Sequence, residues 1–226
     1  MTSPSNSYAI NAHKSDDPDA HQEKRSGFGP FICLLIVVWF MIIFALAYTG
    51  TFKDAEGTPP MSIIAANLVP LGLFVLLYNL SSQVHAWVQS ANLSLLAGFH
   101  AVRTIGFSFL VLAGLRELPW LFAIPTGYGD ILVALSAPFI AYQLSTNNDF
   151  VSSNRFLIWN SFGVLDFMIA IGTGSVARVL GPDVVGAGME PVSSLPIVLI
   201  PAFFVPMLML GHVVMLMRAF MARKRS

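Results

Sequence analysis

The chain contains six runs of predominantly apolar residues, and each run is long enough to cross a lipid bilayer as an α-helix. The runs cover residues 28 to 49, 61 to 80, 92 to 114, 120 to 143, 156 to 176 and 195 to 219. A helix rises about 1.5 Å per residue and the hydrocarbon layer is about 30 Å thick, so roughly 20 residues complete one crossing. Because lipid offers no hydrogen-bond partners to the backbone, such segments fold as helices. We therefore predict an all-α, polytopic transmembrane bundle of about six spans.

The composition agrees with a membrane location. Of the 226 residues, 55% are hydrophobic and 11% are charged, which leaves too little polar surface to cover a soluble globule of this size. The 12 basic and 12 acidic residues cancel, so no overall field attracts nucleic acid. The only cysteine, Cys33, excludes an intrachain disulfide and a zinc site built from several thiolates. We expect the lipid bilayer as a partner and no nucleic acid, and oligomerisation stays open.

The basic residues predict the topology. We expect a polar, disordered tail over residues 1 to 27, a transmembrane domain over 28 to 219 and a basic tail over 220 to 226, with both tails in the cytoplasm. Under this topology the cytoplasmic basic residues are Lys14, Lys24, Arg25, Arg155, Arg218, Arg223, Lys224 and Arg225. Only Lys53, Arg116 and Arg178 lie on the opposite side. This bias satisfies the positive-inside rule at both tails only if the number of spans is even.

Three charged residues interrupt the apolar runs at one depth. Arg103, Asp130 and Asp166 lie roughly 15 to 20 Å from the inner ends of their helices, near the bilayer centre. An unpaired ion there costs about 2.5 to 3.5 kcal/mol even on insertion scales, so we expect the three side chains to face one another inside the bundle. The second carboxylate then either shares the guanidinium or is protonated.

Three further polar residues lie in the inner half of the predicted bundle. His100 is one helical turn before Arg103, and His212 and Asn160 come at similar depths on other helices. They could connect the central charges to the cytoplasm. The complete predicted pocket is His100, Arg103, Asp130, Asn160, Asp166 and His212. Such a set fits a proton or substrate pocket, and it fits equally an ion-pair network that only sets helix registry.

Helix-weakening residues lie beside this pocket. Pro125, Gly127 and Gly129 precede Asp130 directly, and we expect them to break the fourth span. Pro201 and Pro206 are expected to interrupt the sixth span in the same way. Non-helical backbone at membrane depth is tolerated only in protein or beside a polar cavity, so these breaks would point to the same interior.

No motif identifies a reaction. The chain lacks a phosphate-binding glycine loop, a His-Glu-x-x-His helix and a Gly-x-Ser-x-Gly turn, so we do not expect an enzyme and predict no cofactor. The leading hypothesis is a small proton-linked transporter or permease that carries a small solute. One alternative is a haem-binding redox subunit that uses His100 and His212, with Gly98 and Gly211 leaving room for the porphyrin. Another is a non-catalytic assembly or scaffold component.

Three stretches carry a family resemblance. Residues 103 to 130 include Phe-Ala-Ile-Pro-Thr-Gly-Tyr-Gly-Asp, residues 159 to 166 read Trp-Asn-Ser-Phe-Gly-Val-Leu-Asp, and residues 199 to 212 contain Ile-Pro-Ala-Phe-Phe-Val-Pro. From about residue 95 to 215 the chain thereby resembles a group of uncharacterised bacterial multi-pass membrane proteins. The first two spans show no such resemblance. It implies the bacterial inner (cytoplasmic) membrane and a shared polar interior, and it supplies no mechanism.

Overall fold

The computed structural model describes residues 28–55 and 57–224, and these residues form helices and connections with no strand. The predicted tail over residues 1 to 27 lies outside the described residues, as do the last two residues of the predicted basic tail. The main helices are α1 (Phe28–Tyr48), α2 (Met61–Leu80), α3 (Ser82–Ser90), α4 (Leu93–Gly114), α5 (Trp120–Thr146), α6 (Asn154–Leu180) and α7 (Ile200–Arg223). Short helical turns lie at Asn148–Ser152, Pro182–Val185 and Glu190–Ser193. The predicted all-α class is confirmed.

The chain divides into two compact units, Met1–Met41 and Ile42–Ser226. The described part of the first unit is the N-terminal portion of α1. The second unit contains the rest of α1 and every later helix, and within it α5 packs against α4 and α6 while α7 packs against α6 and α2. All the residues of the predicted polar pocket belong to this second unit.

Five helices are long and apolar enough to cross a membrane, namely α2, α4, α5, α6 and α7. The helix α1 (Phe28–Tyr48) has 21 residues, and its apolar segment Ile32–Tyr48 is described in full. Large apolar side chains such as Leu95, Leu135 and Ile158 are exposed on the outer faces of α4, α5 and α6, where lipid would cover them. The protein is thus a multi-pass membrane protein, and five of the six predicted spans are confirmed.

The expected break in α5 is wrong. This helix continues without interruption from Trp120 to Thr146, through both Pro125 and Pro138. Each proline removes one backbone donor, and in a membrane the other helical hydrogen bonds are kept because water cannot replace them. Gly127 and Gly129 serve another purpose: each lies where a neighbouring side chain presses against the helix.

Irregular backbone occurs in α4 and α7 instead. Within α4 the segment His100–Gly106 is a 3₁₀-helix between two α-helical parts. In α7 the segment Ile200–Phe204 is π-helical, so the irregularity that the sequence predicts near Pro201 takes this form. Pro206 is the second residue of the α-helical part, which follows the π-helical segment directly, so α7 stays one continuous helix from Ile200 to Arg223.

A polar layer separates two apolar clusters along four helices. One cluster includes Phe109, Phe122, Phe167 and Leu208, and lies toward the end of the bundle that carries Arg178, which we call the Arg178 end. The other includes Ala97, Val133, Phe156 and Met215 and lies toward the opposite end, which carries Arg218. In each of α4, α5, α6 and α7 the buried charged residue or histidine lies in sequence between its contributions to these two clusters.

Candidate functional site

The 3₁₀ segment of α4 aligns three buried positions. A 3₁₀-helix has about 3.0 residues per turn, so residues three apart lie directly above one another. His100, Arg103 and Gly106 follow this spacing, and they are the buried residues of the segment. An α-helix would spread the same three positions around its surface, because about 3.6 residues complete a turn. The local change in helix type therefore aims one imidazole and one guanidinium at the same neighbours.

Arg103 joins two carboxylates from different helices. Its Nε donates to Oδ1 of Asp130 on α5 at 2.7 Å, and its Nη2 donates to Oδ2 of Asp166 on α6. The exposed fraction of the Arg103 side chain is 1%, and those of the two carboxylates are 7% and 5%. The three charges predicted to meet do meet, and both carboxylates share the one guanidinium. When both carboxylates are ionised, the set carries one net negative charge.

The other contacts of Arg103 complete its coordination. Nη1 donates to the carbonyl oxygen of Gly163 and to Nε2 of His212, both at 3.4 Å. The guanidinium carbon lies 3.9 Å from the centre of the Phe167 ring, which is a cation–π contact. Each of the three guanidinium nitrogens thus has a partner in the protein. Arg103 serves as the counter-charge of the two aspartates and has little capacity left to bind an anion.

Glycines make room for this cluster. A Cβ at Gly106 would overlap Asp130, a Cβ at Gly129 would overlap Asp166, and a Cβ at Gly163 would overlap the His212 ring. A Cβ at Gly211 would come within 3.2 Å of Nε2 of His100. Each of the two carboxylates and each of the two imidazoles therefore packs against a glycine of a neighbouring helix. Small residues in membrane helices allow this close approach.

Two histidines stack beneath the ion cluster. The rings of His100 and His212 lie 3.9 Å apart between centroids, and both contact the indole of Trp159. Nδ1 of His212 lies 3.0 Å from Oδ1 of Asn160, whose amide nitrogen donates to the carbonyl of Phe156. This pattern assigns the proton of His212 to Nδ1 and leaves Nε2 to accept from Arg103. Nδ1 of His100 is buried without a hydrogen-bond partner.

A cavity leads from the Arg178 end to Asp130. It has a volume of about 60 Å³, enough for a few water-sized molecules. Its walls are mainly apolar and aromatic, and include Ile63, Phe109, Phe122, Phe167, Ile200 and Val205. Thr126 lines it one helical turn from Asp130, and the hydroxyl of Thr126 is buried without a partner. Asp166 and Arg103 do not line it, so Asp130 is the member of the ion cluster that the cavity reaches.

One charged residue lines the cavity at the Arg178 end, and a salt bridge lies near it. Arg178 lines it, donating from Nη1 to Oγ of Ser193 at 3.0 Å and from Nη2 to the carbonyl of Asp54. Nearby, Lys53 and Glu190 form an exposed salt bridge of 3.0 Å. The hydrogen bond from Ser194 and the contact with Lys53 lower the pKa of Glu190, so this carboxylate stays ionised at neutral pH. Lys53 and Glu190 do not line the cavity, and Arg178 is the charged residue that lines it at this end.

The predicted pocket residues lie together. Arg103 contacts Asp130, Asp166 and His212 directly, His100 stacks on His212, and Asn160 binds the far side of the His212 ring.

Three functional candidates escaped the sequence analysis. Thr126 lies among apolar residues and carries no motif, and Phe167 adjoins Asp166 without a pattern that distinguishes it. Trp159 lies near the start of its apolar run without a distinguishing motif, and it is buried against the histidines and donates to Ser136.

The histidine pair does not fit a haem. A porphyrin between two axial imidazoles would have to lie between the rings, and here the rings are in direct contact. Gly98 and Gly211 do not leave the expected space, because Cβ atoms there would meet Ala141 at 3.6 Å and His100 at 3.2 Å. Among the described residues, no group of three or more histidine, cysteine, aspartate or glutamate side chains could hold a metal ion. In this arrangement His100 and His212 cannot be the two axial ligands of one haem.

The comparisons with known proteins give one match. A family model described as Domain of unknown function (DUF8737) matches residues 59–220. The match includes all of α2 and extends further than the resemblance over residues 95 to 215, so the family model also covers the second span, in which the sequence showed no resemblance. The matched region, residues 59–220, contains the complete ion cluster, both histidines and the residues that line the cavity. No curated protein and no solved structure matches the chain.

Proposed function

We propose that this chain, which belongs to the family Domain of unknown function (DUF8737), is a small proton-linked transporter in which Asp130 binds and releases the coupling proton. It acts in the bacterial cytoplasmic membrane with both termini in the cytoplasm, a topology in which α1 (Phe28–Tyr48) is the sixth span beside the five long apolar helices. The observation that carries the proposal is the cavity that ends at Asp130. A network that only set helix registry would need no such access.

The charges of the cluster suit proton exchange. Arg103 and Asp166 are the charged groups around Asp130, and His100 and His212 are the other titratable groups in the layer. With both aspartates ionised the cluster has one uncompensated negative charge, and one proton removes it. Asp166 keeps its contact with Arg103 in either state. Asp130 can therefore change its protonation while the guanidinium remains paired.

The two sides of the cluster differ in access. Toward the Arg178 end the cavity leads to Asp130. Toward the other end, Ala97, Phe156 and Met215 are buried in a packed apolar cluster. In this proposal the described conformation gives access to Asp130 from the Arg178 end and is closed at the Arg218 end. Transport requires a second conformation in which the histidine side becomes accessible, as alternating access demands.

The test is modification by dicyclohexylcarbodiimide, an apolar reagent that reacts with protonated carboxyl groups in membrane proteins. The carboxyl group adds across a C=N bond of the reagent, and rearrangement gives a stable N-acylurea, so the protein gains the mass of one reagent molecule. We expect peptide mass spectrometry to find this mass on Asp130, with faster reaction at lower pH.

The matched controls are two conservative variants. Asp130→Asn should lose the modification and still fold, because an amide oxygen can accept from Nε of Arg103 and Asp166 then balances the guanidinium. Asp149→Asn removes an exposed carboxylate outside the cluster and should react as the natural chain does. If the reagent fails to modify Asp130 and the infrared band of a protonated carboxylic acid is also the same in the natural chain and in Asp130→Asn, the proposal is contradicted and a purely structural cluster is favoured.

A further inference from the structure

The cavity has polar groups at its inner end and apolar walls along its length. The inner end carries the carboxylate of Asp130 and the unpartnered hydroxyl of Thr126, a residue that is 4% exposed. A buried hydroxyl without a partner costs about 1 to 3 kcal/mol, and a bound molecule with a hydrogen-bonding group would recover this free energy. These two groups therefore set the chemistry of an occupant at the deepest point.

The charge of the inner end favours a cation. Asp130 and Asp166 together exceed Arg103 by one negative charge, and Arg103 has no face toward the cavity. An anion at this inner end would meet the Asp130 carboxylate without a positive partner, because the basic residue of the lining, Arg178, lies at the other end and donates to Ser193 and to the carbonyl of Asp54. A monocation would neutralise the cluster as a proton does. The two should therefore compete for Asp130.

The walls of the cavity favour an occupant with an apolar chain. Phe109 and Phe122 line the cavity with their rings 5.2 Å apart in an edge-to-face arrangement, and Phe167 completes the aromatic wall. Aromatic faces attract organic cations and also accept apolar chains. The small volume excludes a bulky molecule. A slender alkyl chain can pack against these apolar and aromatic walls. A cationic, hydrogen-donating group at one end of the chain can bind Asp130 and Thr126 at the inner end.

From this arrangement we infer that the substrate of the cavity is a small organic monocation, an alkylammonium or alkylguanidinium, that binds Asp130 and Thr126 in exchange for a proton. The inference rests on the proposed function and adds the substrate class to it. Exchange of one monocation for one proton leaves the charge of the buried cluster unchanged.

The probe is butylguanidinium, which is permanently charged, and its controls are butylurea and pentanoate. Butylurea has nearly the same shape without the charge, and pentanoate carries the opposite charge on a similar chain. Calorimetry with the purified protein should show butylguanidinium binding at least about tenfold more tightly than butylurea. Pentanoate should bind more weakly than either. Equal binding of butylguanidinium and butylurea, or tighter binding of pentanoate, would overturn the inference.

Two variants test the assigned contacts. Asp130→Asn should remove the preference for the cation, since butylguanidinium would then bind no better than butylurea. Thr126→Val has nearly the same shape but no hydroxyl, and should weaken butylguanidinium binding about fivefold through the loss of one hydrogen bond. Asp149→Asn should change neither. A Thr126→Val variant that folds and binds with unchanged affinity would remove Thr126 from the site.

Transport is measured separately from binding. Proteoliposomes loaded with butylguanidinium and a fluorescent pH indicator are diluted into probe-free buffer, and cation exit should drive proton entry that acidifies the lumen. Asp130→Asn proteoliposomes should show no such acidification. Binding without acidification would contradict proton-linked transport and leave the ligand class standing. Carbodiimide modification of Asp130 without butylguanidinium binding would overturn the ligand class and leave the proton site standing.

Discussion

At the scale of single residues, the cluster depends as much on glycines as on charges. Gly163 lies against the His212 ring, whereas Gly172, nine positions later on the same helix, has no neighbouring atom within 4 Å of a built Cβ. The two positions differ in this contact and share the same helix, so they form a matched pair for testing whether the close approach is required.

We expect Gly163→Ala to destabilise the protein by about 1 to 3 kcal/mol, because the new methyl group must displace a packed imidazole. Gly172→Ala should be neutral or stabilise by up to about 1 kcal/mol, since alanine is the better helix former in open space. Unfolding in detergent, followed by circular dichroism, measures both. Equal effects of the two substitutions would contradict the packing described for His212.

The guanidinium of Arg103 is the second residue-scale test. Arg103→Met leaves two carboxylates buried side by side without a cation, and should cost about 3 to 5 kcal/mol of unfolding free energy. Adding Asp130→Asn and Asp166→Asn removes the uncompensated charges and should recover most of that loss. The same unfolding assay compares the single and triple variants, and a triple variant no more stable than Arg103→Met would argue against the shared ion pair.

The sequence was sufficient to predict the charged residues of the cluster but not the glycines beneath them. Arg103, Asp130 and Asp166 are conspicuous because an ion in an apolar run must find a partner. Gly106 and Gly129 are ordinary residues in membrane helices, and their role depends on which side chain of another helix comes opposite. That pairing is set by helix rotation and crossing, which hydropathy does not determine.

At the scale of helices, the apolar runs predict where spans lie but not their internal geometry. The break expected at Pro125 does not form, and the 3₁₀ segment at His100–Gly106 was not expected. A spacing of three residues over one short segment is equally compatible with an α-helix. The segment adopts 3₁₀ geometry because this geometry aligns its buried residues. The aligned residues then form the ion pairs of Arg103 and the contact between the rings of His100 and His212, which stabilise the segment.

The π-helical turn of α7 offers an element-scale prediction. Nδ2 of Asn67 on α2 donates to the carbonyl of Pro201 at 2.9 Å and to the carbonyl of Ile63 at 2.8 Å. Asn67→Leu would leave the Pro201 carbonyl without this donor in an apolar setting, and should cost about 1 to 3 kcal/mol. The cost is measured as the shift of thermal unfolding in detergent.

Asn79 is the matched control for this prediction. It lies on the same helix, and its amide donates only to the carbonyl of Val75 on an exposed face. Asn79→Leu should change the unfolding free energy by less than about 0.5 kcal/mol. If Asn67→Leu is as mild as Asn79→Leu, the contact between α2 and the π-helical turn contributes nothing measurable.

At the scale of the whole molecule, the proposed topology puts the Arg178 end of the bundle outside the cell. With Cys33→Ser as background, a cysteine introduced by Asp183→Cys should react in intact cells with a maleimide that cannot cross membranes. A cysteine introduced by Asp149→Cys should react only after permeabilisation. Both positions are exposed in the structure, so reactivity reports the side of the membrane. The reverse pattern would place the cavity entrance in the cytoplasm.

Proton-linked transport depends most on one group, the Asp130 carboxylate between the cavity and the Arg103 guanidinium. Infrared difference spectra of the purified protein, recorded while the pH is lowered, should contain the C=O stretching band of a protonated carboxylic acid that is absent in Asp130→Asn and present in Asp149→Asn. A carboxylic acid band that is identical in the natural chain and in Asp130→Asn would contradict proton exchange at this site.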